Sequence, residues 1–294
     1  MEHHFLPIDQ LFLPPKEILV PAPERIAPVE QLPPPRIIWL DEAESTHMLL
    51  KSEQYAALEP FTMVVARRQT HGRGQRGNSW ESAPFKNLTF SMPAAPQWLH
   101  PAMQFALSEC VALAVVALLA EYGIEASVKW PNDIYVGHRK ICGILIDHSL
   151  QADRIIRSII SAGLNVNQLQ FLSDAPNPVS MLALLPAGSP EFDLEGIARR
   201  LQQYICHMAG LTRTAVGRQR LHLAFMQRLY LNDGASHPFH DSLCGTDIRA
   251  RIADVAPDGL LTLRLDPTPE HPDGELRSYR FKEVAYILPS RLHD

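Results

Sequence analysis

The chain has 294 residues, of which 46% are hydrophobic and 20% are charged, and its formal net charge is −5 at pH 7. These values are ordinary for a globular protein with one large and one small domain. They do not resemble those of a globally basic nucleic-acid-binding protein, although a local basic patch remains open. The four cysteines are widely scattered, and we interpret them as reduced thiols in a reducing compartment.

The first 35 residues contain nine prolines and no signal-peptide pattern. Such a segment cannot form a regular helix or a central strand, so we expect an extended arm. It is also too short and too rich in proline for a winged helix-turn-helix. The most apolar run, residues 105–120, is interrupted by Glu109 and is too short to span a bilayer. We therefore expect a cytoplasmic protein with no membrane contact, in which this run is a buried core helix.

Strand and helix patterns are mixed along residues 36–232. Strand patterns occupy six segments: 36–41, 62–67, 87–92, 127–130, 134–147 and 154–166. Helical patterns occupy four segments: 45–58, 101–122, 191–210 and 213–231. Gly137-His138 predicts a hairpin turn within the fifth strand segment. Because strands and helices do not alternate strictly, we expect an α+β domain whose sheet is mixed or largely antiparallel, rather than a doubly wound fold.

The pattern changes after Asn232-Asp233-Gly234. Short alternating segments separated by Pro, Asp and Gly follow, at 248–255, 260–266, 277–281 and 285–288. This pattern is typical of a small antiparallel, barrel-like domain. We therefore predict three units: an arm at 1–35, a main domain at 36–232 and a small β domain at 233–294.

The run GRGQRG, residues 72–77, has the G-x-G-x-x-G spacing of dinucleotide-binding loops. That fingerprint needs a helix directly after the glycines, because the helix N-terminus receives the pyrophosphate. Here Pro84 and the strand pattern of 87–92 follow instead. We therefore interpret the run as a glycine-rich loop that holds another anion through Arg73 and Arg76. An exposed flexible loop with solvated arginines is the alternative.

A second group of residues, KWPND at 129–133, places a cation, a proline and a carboxylate at a predicted strand end. Pro131 should end the strand and turn the following residues toward whatever lies beyond it. Lys140 begins the return strand of the predicted hairpin, so it should lie close to Asp133. Gly143 marks a point at which a ligand or another backbone approaches. A surface turn with an ordinary salt bridge is the alternative for this group taken alone.

Together these segments resemble the biotin protein ligases. The resemblance rests on QTHGRGQRGNSW (69–80), KWPNDIYVGHRKICGILID (129–147) and SAGLNVN (161–167), with minor matches in EST (44–46) and FKEVAYI (281–287). It implies a catalytic domain akin to the class II aminoacyl-tRNA synthetases, with a mixed sheet and helices, and an SH3-like C-terminal β-barrel. Repressor-type members add an N-terminal DNA-binding domain. This chain has the proline-rich arm there and resembles the ligase-only type.

The resemblance also implies a two-step reaction. Biotin and ATP, with Mg²⁺, give biotinyl-5′-AMP and pyrophosphate, and biotin then passes to a lysine of a biotin carboxyl carrier protein. Lys140 is the implied contact to the carboxylate and the α-phosphate, and Arg73 offsets negative charge. Asp133 is implied to orient the attacking amine.

Two sets of binding residues follow from the same resemblance. The biotin set is Ser45, Thr46, His47, Gln69, Arg73, Gly74, Gln75, Lys140 and Gly143. The ATP set is Arg73, Arg76, Trp80, Lys129, Asn132, Lys140 and Asn165. For Ser45 and Asn165, a helix cap and a turn residue remain the alternatives. Two positions depart from the family: His47 stands where Asn is frequent, and Gln75 stands where many members have arginine.

Three other functions remain open beside biotin ligation. The first is lipoate ligation or octanoyl transfer on the same fold, although those relatives lack the two central motifs as written here. The second is a biotin-binding repressor or an inactive binding module; the intact Lys140 and Asp133 argue against inactivity, and the missing helix-turn-helix argues against specific DNA binding. The third is a nucleotide-binding interaction domain whose arm recruits partners. The family further implies that a homodimer can form through the catalytic sheet.

Overall fold

A seven-stranded sheet is the centre of the main domain in this computed structural model, which describes residues 36–172 and 177–288. Its strands are β1 (Ile37–Ala43), β2 (Met63–Gln69), β3 (Leu88–Ala94), β4 (Ser127–Lys129), β5 (Asp133–Val136), β6 (Arg139–Gln151) and β7 (Arg154–Leu164). They lie in the order β1-β2-β3-β7-β6-β5-β4, with β1 and β2 parallel and the other neighbours antiparallel. The predicted mixed, largely antiparallel sheet is confirmed. The predicted arm, residues 1–35, lies outside the described residues.

The turn predicted at Gly137-His138 joins β5 to β6. Gly137 has a φ of +57°, a left-handed conformation that glycine adopts without the steric cost of a Cβ atom. β5 and the start of β6 pair antiparallel across this turn, so the predicted hairpin is confirmed. The rest of β6 pairs with β7 along most of its length.

Three helices cover one face of this sheet: α2 (Phe105–Glu121), α3 (Leu194–Leu211) and α4 (Ala215–Arg228). α2 lies innermost because nearly all of its side chains are apolar and become buried against the sheet and the other two helices. The stretch Pro101–Glu121 is long and apolar enough to cross a membrane, but 78% of its most apolar window is buried inside the protein. The predicted core helix is confirmed, but the prediction that its apolar run is too short to span a bilayer is wrong, because the helical stretch has 21 residues.

The opposite face carries α1 (Thr46–Lys51), which is shorter than the predicted helix at 45–58. Ser52 leaves the helical conformation with a ψ of 154°, and its hydroxyl donates back to the last helical turn. From β7, the guanidinium of Arg157 donates to the Leu50 carbonyl at 3.1 Å. Because these contacts satisfy backbone groups that a longer helix would use itself, the pattern continues only as a single 3₁₀ turn.

The central strands divide apolar and polar side chains between the two faces. Phe90 and Met92 on β3 pack into the core with α2, whereas Ser91 between them bonds to the first residue of α1. Ser161 on β7 lies opposite Ser91 in the strand register. The α1 face of the sheet is therefore lined at its centre by small hydroxyl side chains.

A five-stranded antiparallel sheet forms the C-terminal unit. Its strands are β8 (His237–Asp241), β9 (Thr246–Val255), β10 (Leu261–Leu265), β11 (Leu276–Tyr279) and β12 (Val284–Tyr286), in the order β11-β10-β9-β8-β12. The predicted C-terminal antiparallel strands are confirmed. β8 is absent from the prediction because its HPFHD sequence has a proline and little apolar alternation. The boundary near residue 232 and the SH3-like classification stay predictions.

Trp130 and His222 are among the residues that join this unit to the main domain. The indole nitrogen of Trp130 donates to a backbone carbonyl between β9 and β10 at 2.9 Å, and its ring meets Phe281 edge-on with centroids 6.5 Å apart. Elsewhere His222 on α4 lies between Glu109 on α2 and Asp254 on β9, at 2.8 and 3.2 Å. An aromatic contact and a polar cluster therefore fix the C-terminal sheet to the helical side of the main domain.

Candidate active site

A cavity of about 620 Å³ opens on the α1 face of the seven-stranded sheet. All predicted site residues except Arg76 lie along its wall. They are Ser45, Thr46, His47, Gln69, Arg73, Gly74, Gln75, Trp80, Lys129, Asn132, Asp133, Lys140, Gly143 and Asn165. The side chain of Arg76 lies outside the described part of the chain. The fold thus gathers positions from four separate segments of the chain, 45–47, 69–80, 129–143 and 165, around one space.

The glycine-rich run folds into a short hairpin at this cavity, which we call the glycine hairpin (residues 72–80). The Trp80 amide donates to the Gly72 carbonyl at 2.9 Å. A Cβ atom at Gly72 would lie 2.5 Å from the Trp80 carbonyl oxygen, so the close approach of the two arms needs glycine. After one 3₁₀ turn the chain runs to β3 with no intervening α-helix among these described residues. The arrangement therefore differs from a dinucleotide loop, as predicted.

Two further glycines form a seat for the indole of Trp80. Gly143 on β6 and Gly163 on β7 lie opposite each other in the strand register. A Cβ atom would lie 2.9 Å from the indole at Gly143 and 2.3 Å from it at Gly163. The Trp80 side chain therefore approaches Gly143 closely, and a ligand contact at Gly143, which lies on the cavity wall, stays a prediction.

Lys140 and Asp133 form a salt bridge at the end of the cavity where β6 begins, with Nζ 2.7 Å from Oδ1. Lys140 pairs with Tyr135 rather than with Asp133 in the register, because the β5–β6 pairing shifts at an irregularity. Its ammonium group also lies 5.5 Å from the centroid of the Trp80 ring. The predicted proximity of Lys140 and Asp133 is confirmed.

Lys129 is a second cation at this end of the cavity. Its Nζ lies 5.1 Å from the ring centroids of both Tyr135 and Tyr286. Burial lowers the pKa of Lys129, the Asp133 carboxylate opposes that shift, and Lys140 adds to it. Two ammonium groups beside one carboxylate leave a local positive charge that favours anions.

Asn132 and Asn165 differ in how far the protein already uses their side chains. The Asn132 amide donates to the Ile144 carbonyl at 2.6 Å and fixes the segment after β4 to β6. The Asn165 amide donates to the Val179 carbonyl at 3.1 Å, but its Oδ1 is buried without a hydrogen-bond partner among the described residues. Asn165 therefore keeps an acceptor for a ligand, whereas the amide nitrogen of Asn132 is engaged.

A row of polar groups lies at and beneath the cavity floor beside α1, and we call it the hydroxyl chain: Gln69 Oε1, Thr46 Oγ1, the fully buried Ser91 Oγ and Ser161 Oγ. Successive oxygens are 3.2, 2.9 and 2.7 Å apart. The Thr46 amide also donates to Gln69 Oε1, at 2.8 Å. Ser45 caps α1 by accepting from a backbone amide at 3.5 Å, which is the alternative role the sequence left open. Buried hydroxyl groups need such partners, and here they supply them to one another.

His47 ends the hydroxyl chain. Its Nδ1 lies 2.8 Å from Ser161 Oγ, and its Nε2 lies 2.9 Å from Asp147 Oδ2, which also contacts the Lys51 ammonium group. Burial lowers the pKa of His47, Asp147 opposes this shift, and Lys51 and Arg73 add to it. For Asp147, burial raises the pKa, but the hydrogen bonds from Lys51 and His47 outweigh burial and the pKa falls below its usual value. Asp147 therefore accepts a hydrogen that His47 carries on Nε2.

Three buried polar atoms along this cavity have no hydrogen-bond partner among the described residues: Gln75 Oε1, Trp80 Nε1 and Asn165 Oδ1. An unpaired buried polar group costs about 1–3 kcal/mol. Most buried polar groups in proteins are paired, so a cluster of unpaired ones indicates a place for an external partner. The cavity is thus suited to a ligand that has both donors and acceptors.

The two ends of the cavity differ in chemistry. Along β6 and β7, the register runs from the Lys140 end, past the glycine seat, to Ser161 and Asp147. The first end has two cations and suits phosphate or carboxylate groups. The second end is rich in neutral hydroxyl groups and suits a small polar ring.

The structure adds site residues that the sequence interpretation lacks: Ser91, Asp147, Ser161 and Gly163. Ser161 and Gly163 lie two positions apart in the motif SAGLNVN, and this spacing places both on one face of a strand. That periodicity is a signal the sequence does contain. Ser91 belongs to no motif and lies in a mostly apolar strand, so only the strand register reveals its place.

Comparison with known proteins identifies the domain around this cavity. Residues 39–167 match the sequence model of the biotin/lipoate A/B protein ligase family. The bifunctional ligase/repressor BirA of Bacillus spizizenii is 34% identical over 143 residues, which are 48% of this chain and 43% of that protein. The biotin–protein ligase of Homo sapiens is 36% identical over 137 residues, which are 44% of this chain and 19% of that protein. The chain spans about half the length of the curated relatives it matches, or less.

A solved structure extends the likeness beyond these residues. The biotin protein ligase from Aquifex aeolicus in complex with biotin and ATP superposes with a TM-score of 0.68 at 23% identity, covering 86% of this chain and 99% of that chain. At this identity the likeness shows the fold, and it confirms the predicted α+β class with C-terminal strands. The sequence match to the biotin/lipoate A/B protein ligase family is confined to residues 39–167, the part of the chain that carries nearly all of the seven-stranded sheet.

Proposed function

We propose that the protein activates biotin with ATP to form biotinyl-5′-AMP and then transfers biotin to a lysine of a carrier protein. The observation that carries this proposal is the cavity with two unlike ends, the hydroxyl chain at one and Lys140, Lys129 and Asp133 at the other. Biotin has a neutral cyclic urea at one end and a carboxylate at the other. The order of its groups matches the order of the cavity.

In the first step, a carboxylate oxygen of biotin attacks the α-phosphorus of ATP, and pyrophosphate leaves with the electrons of the broken bond. Two anions must approach each other, so cations have to offset their repulsion. In the proposal Lys140 contacts both reacting groups, and Arg73 and Arg76 of the glycine hairpin add positive charge. Lys129 and Trp80 lie on the nucleotide side of Lys140.

The ring end of biotin lies on the hydroxyl chain in this proposal. Thr46 and Gln69 bond the cyclic urea, with Ser45 and His47 beside it. Gly74 in the glycine hairpin lets the backbone approach the ligand. On the nucleotide side, Asn165 Oδ1 accepts a hydrogen from the ribose.

In the second step, the amine of the carrier lysine attacks the carbonyl carbon of the adenylate. The new C–N bond forms, and AMP leaves with the electrons of the broken C–O bond. The amine must be neutral to attack, so a base has to take its proton. Asp133 is proposed to orient the amine and accept this proton, because its carboxylate lies at the reacting end beside Lys140.

Mg²⁺ enters the proposal with the triphosphate of ATP, where its charge offsets that of the phosphates. This ion commonly takes one or two carboxylates together with phosphate oxygens and waters. The described residues contain no group of three or more His, Cys, Asp or Glu side chains that could hold a metal ion. Asp133 supplies one carboxylate in the cavity. These residues fit a metal ion that arrives on the nucleotide rather than one the protein keeps.

Lipoate or octanoate is the main alternative acid. The hydroxyl chain favours biotin, because an alkyl chain or a dithiolane ring would cover those buried groups without hydrogen-bonding them. An inactive binding module is disfavoured by the salt bridge of Lys140 and Asp133 in the cavity. The choice of biotin as the substrate therefore rests on the hydroxyl chain at one end of the cavity. The proposed activity rests on Lys140 and Asp133 at the other end.

Exchange of labelled pyrophosphate into ATP tests the first step, and transfer of labelled biotin to a purified biotin carboxyl carrier protein tests the second. We expect exchange that requires biotin and is not supported by lipoate or octanoate. Exchange with lipoate but not with biotin would contradict the substrate. Biotin-dependent exchange with no transfer to the carrier would contradict the second step.

The proposal includes a cytoplasmic location, where ATP and the carrier protein are both available. The cysteines of the described residues are free thiols, which supports a reducing compartment. The predicted absence of specific DNA binding and the homodimer stay predictions. Gel-shift assays with duplex DNA and light scattering of the purified chain test them directly.

A further inference from the structure

His47 is joined to the hydroxyl chain by one hydrogen bond to Ser161. From His47 Nδ1 through Ser161, Ser91 and Thr46 to Gln69 Oε1, the four links measure 2.8, 2.7, 2.9 and 3.2 Å. Each link is short enough to be a hydrogen bond, and each therefore needs one hydrogen between its two atoms.

Counting hydrogens shows that the chain depends on the state of His47. The three hydroxyl groups supply one hydrogen each, and the amide oxygen of Gln69 supplies none. Asp147 accepts from Nε2 of His47 at 2.9 Å, so a neutral ring has its single hydrogen on that side. Three hydrogens then serve four links, and one pair of polar atoms faces each other with no hydrogen between them.

A protonated His47 removes this shortage. Its Nδ1 then donates to Ser161, and each hydroxyl donates onward until Thr46 donates to Gln69. Every link is filled, and all the hydrogens point away from the histidine. The protonation state of one ring therefore sets the hydrogen direction along the whole floor of the cavity.

We propose that His47 is a positioning residue for the cyclic urea of biotin: its neutral ring leaves one link of the hydroxyl chain without a hydrogen, and an N–H group of the urea donates to Gln69 Oε1 in place of the Thr46 hydroxyl. The inference rests on the proposed function, since it takes biotin as the ligand. His47 acts through Ser161, Ser91 and Thr46, and its effect falls on ligand binding rather than on the reacting groups at Lys140.

Binding of the urea is then coupled to a proton. Because the open link exists only with neutral His47, acidification weakens biotin binding as the ring takes up a proton. The charged groups facing His47 are Asp147 on β6, Lys51 on α1 and Arg73 on the glycine hairpin, while β3 and β7 present the neutral Ser91 and Ser161. Burial lowers the pKa of His47, which agrees with a neutral ring near neutral pH.

A route for the proton is present away from the ligand. The side chains of Asp147 and Lys51 are 39% and 42% exposed, whereas that of His47 is 5% exposed. Asp147 and Lys51 line a separate cavity of about 330 Å³. His47 can therefore exchange its proton through Asp147 while the main cavity is occupied.

The test is calorimetric titration of biotin into the full-length wild-type protein and into His47→Gln between about pH 5.5 and 8, where the biotin carboxyl stays ionised. For the wild type we expect affinity to fall toward a limit of about tenfold per pH unit below the pKa of His47, as for one linked proton. His47→Gln should be flat within about twofold over this range. Its KM for biotin should rise while its KM for ATP stays near the wild-type value.

Two further variants separate the inference from a general effect of substitution. His148→Gln is the matched control, because His148 is the next residue, also bonds a serine at 2.8 Å and also has a pKa lowered by burial, yet it is not bonded to the hydroxyl chain. It should keep the wild-type pH slope. Ser161→Ala interrupts the hydroxyl chain while His47 is retained, so the dependence of biotin affinity on pH should be lost. Thermal melting checks that this variant folds.

The outcomes distinguish this inference from the proposed function. If the wild type binds no biotin at any pH, the proposed function fails. If the wild type binds biotin with a flat pH profile, or if His47→Gln or Ser161→Ala keeps the wild-type slope, the function stands and the positioning role of His47 is wrong.

Discussion

Among the histidines that contact carboxylates, His47 and His222 have pKa values that shift in opposite directions. In the cavity, burial lowers the pKa of His47 despite its bond to Asp147. Between the main domain and the C-terminal sheet, the hydrogen bond to Glu109 raises the pKa of His222 against the effect of burial, and Asp254 adds to the rise. The same residue type is therefore harder to protonate in one region and easier to protonate in the other.

The difference comes from what surrounds each ring. His47 is almost fully buried, and its one carboxylate is shared with Lys51 and opposed by Arg73. His222 is one-third exposed and bridges two carboxylates. A carboxylate neighbour alone does not decide the charge of a histidine; burial and competing cations do. The cavity thus keeps an adjustable hydrogen-bonding group, and the domain contact keeps an ion pair.

The largest expected effect tests whether pyrophosphate exchange depends on the cavity residues and not on the contact between the main domain and the C-terminal sheet. Lys140→Ala should reduce biotin-dependent pyrophosphate exchange by about 10²–10³-fold, because it removes the cation nearest the reacting oxygens. Its thermal unfolding midpoint should stay near that of the wild type. His222→Ala is the control and should keep exchange within about twofold wherever it remains folded, since it lies outside the cavity. Near-normal exchange in Lys140→Ala would overturn the site assignment.

The next effect tests whether the domain contact carries stability. His222→Ala should lower the free energy of unfolding by about 1–3 kcal/mol, because it leaves the buried Glu109 carboxyl without its partner. His240→Ala is the matched control: it removes an exposed histidine that pairs with Asp247 at 2.8 Å, and it should cost less than about 0.5 kcal/mol. Urea unfolding of both variants measures the loss of stability. Equal losses of free energy in the two variants would mean that the His222 contact contributes no more stability than the exposed pair of His240 and Asp247.

A third prediction separates the packing of the cavity from its charges. Gly163→Ala places a Cβ atom where the Trp80 indole sits, and overpacking of this kind costs about 1–3 kcal/mol. We expect Trp80 to leave its seat, with a higher KM for ATP and faster hydrogen exchange in residues 72–80. Gly210→Ala, where a Cβ atom meets nothing within 4 Å, should change neither. An unchanged KM in Gly163→Ala would mean that the seat does not position the indole for nucleotide.

The opposite pKa shifts predict opposite pH windows for stability. The folded pKa of His222 is raised above 6.5, so its stabilisation is full below that value and is lost as pH rises through the folded pKa. The folded pKa of His47 is lowered, so its stabilisation is present above 6.5 and is lost as pH falls through the folded pKa.

The free-energy difference between wild type and His222→Gln should therefore grow toward acid pH. The corresponding difference for His47→Gln should grow toward alkaline pH. For a single proton, neither slope can exceed about 1.4 kcal/mol per pH unit. Urea unfolding at several pH values measures both, and slopes of the same sign would contradict the comparison.

The smallest expected effect concerns Gln75, whose Oε1 is buried without a hydrogen-bond partner among the described residues. Gln75→Arg adds a cation to the glycine hairpin and should slow release of biotinyl-5′-AMP by about two- to tenfold through a charge-assisted contact. Gln75→Met, of similar size and without charge, should not slow it. Timing the loss of bound adenylate decides this. Equal or faster release from Gln75→Arg would mean that the neutral glutamine does not weaken retention of the adenylate.

Much of the site could be predicted because its motifs are local. The hairpin turn at Gly137-His138 follows from turn chemistry, and it alone brings Lys140 back toward Asp133. The glycine spacing of residues 72–77, with no helix after it, already separated this loop from a dinucleotide site. Core helix α2 is as evident, since its apolar composition leaves it no stable position outside the core.

Other features depend on partners distant in the chain. α1 ends early because the Arg157 guanidinium on β7 donates a hydrogen bond to the Leu50 carbonyl. Helical periodicity carries no information about a partner so distant in the chain. Ser91 joins Ser161 only through the register of β3 and β7. The seat of Trp80 needs Gly143 and Gly163 on neighbouring strands.

The sequence by itself therefore determined most of the elements, the two main motifs and many of the residues around the cavity, because turn chemistry, periodicity and spacing act over a few positions. Only the tertiary structure decided the direction of the pKa of His47, the length of α1 and the floor on which a ligand ring would lie. Burial, strand register and shared carboxylates join groups such as His47 and Asp147 that are far apart in the chain. Their energies arise only when the sheet has formed.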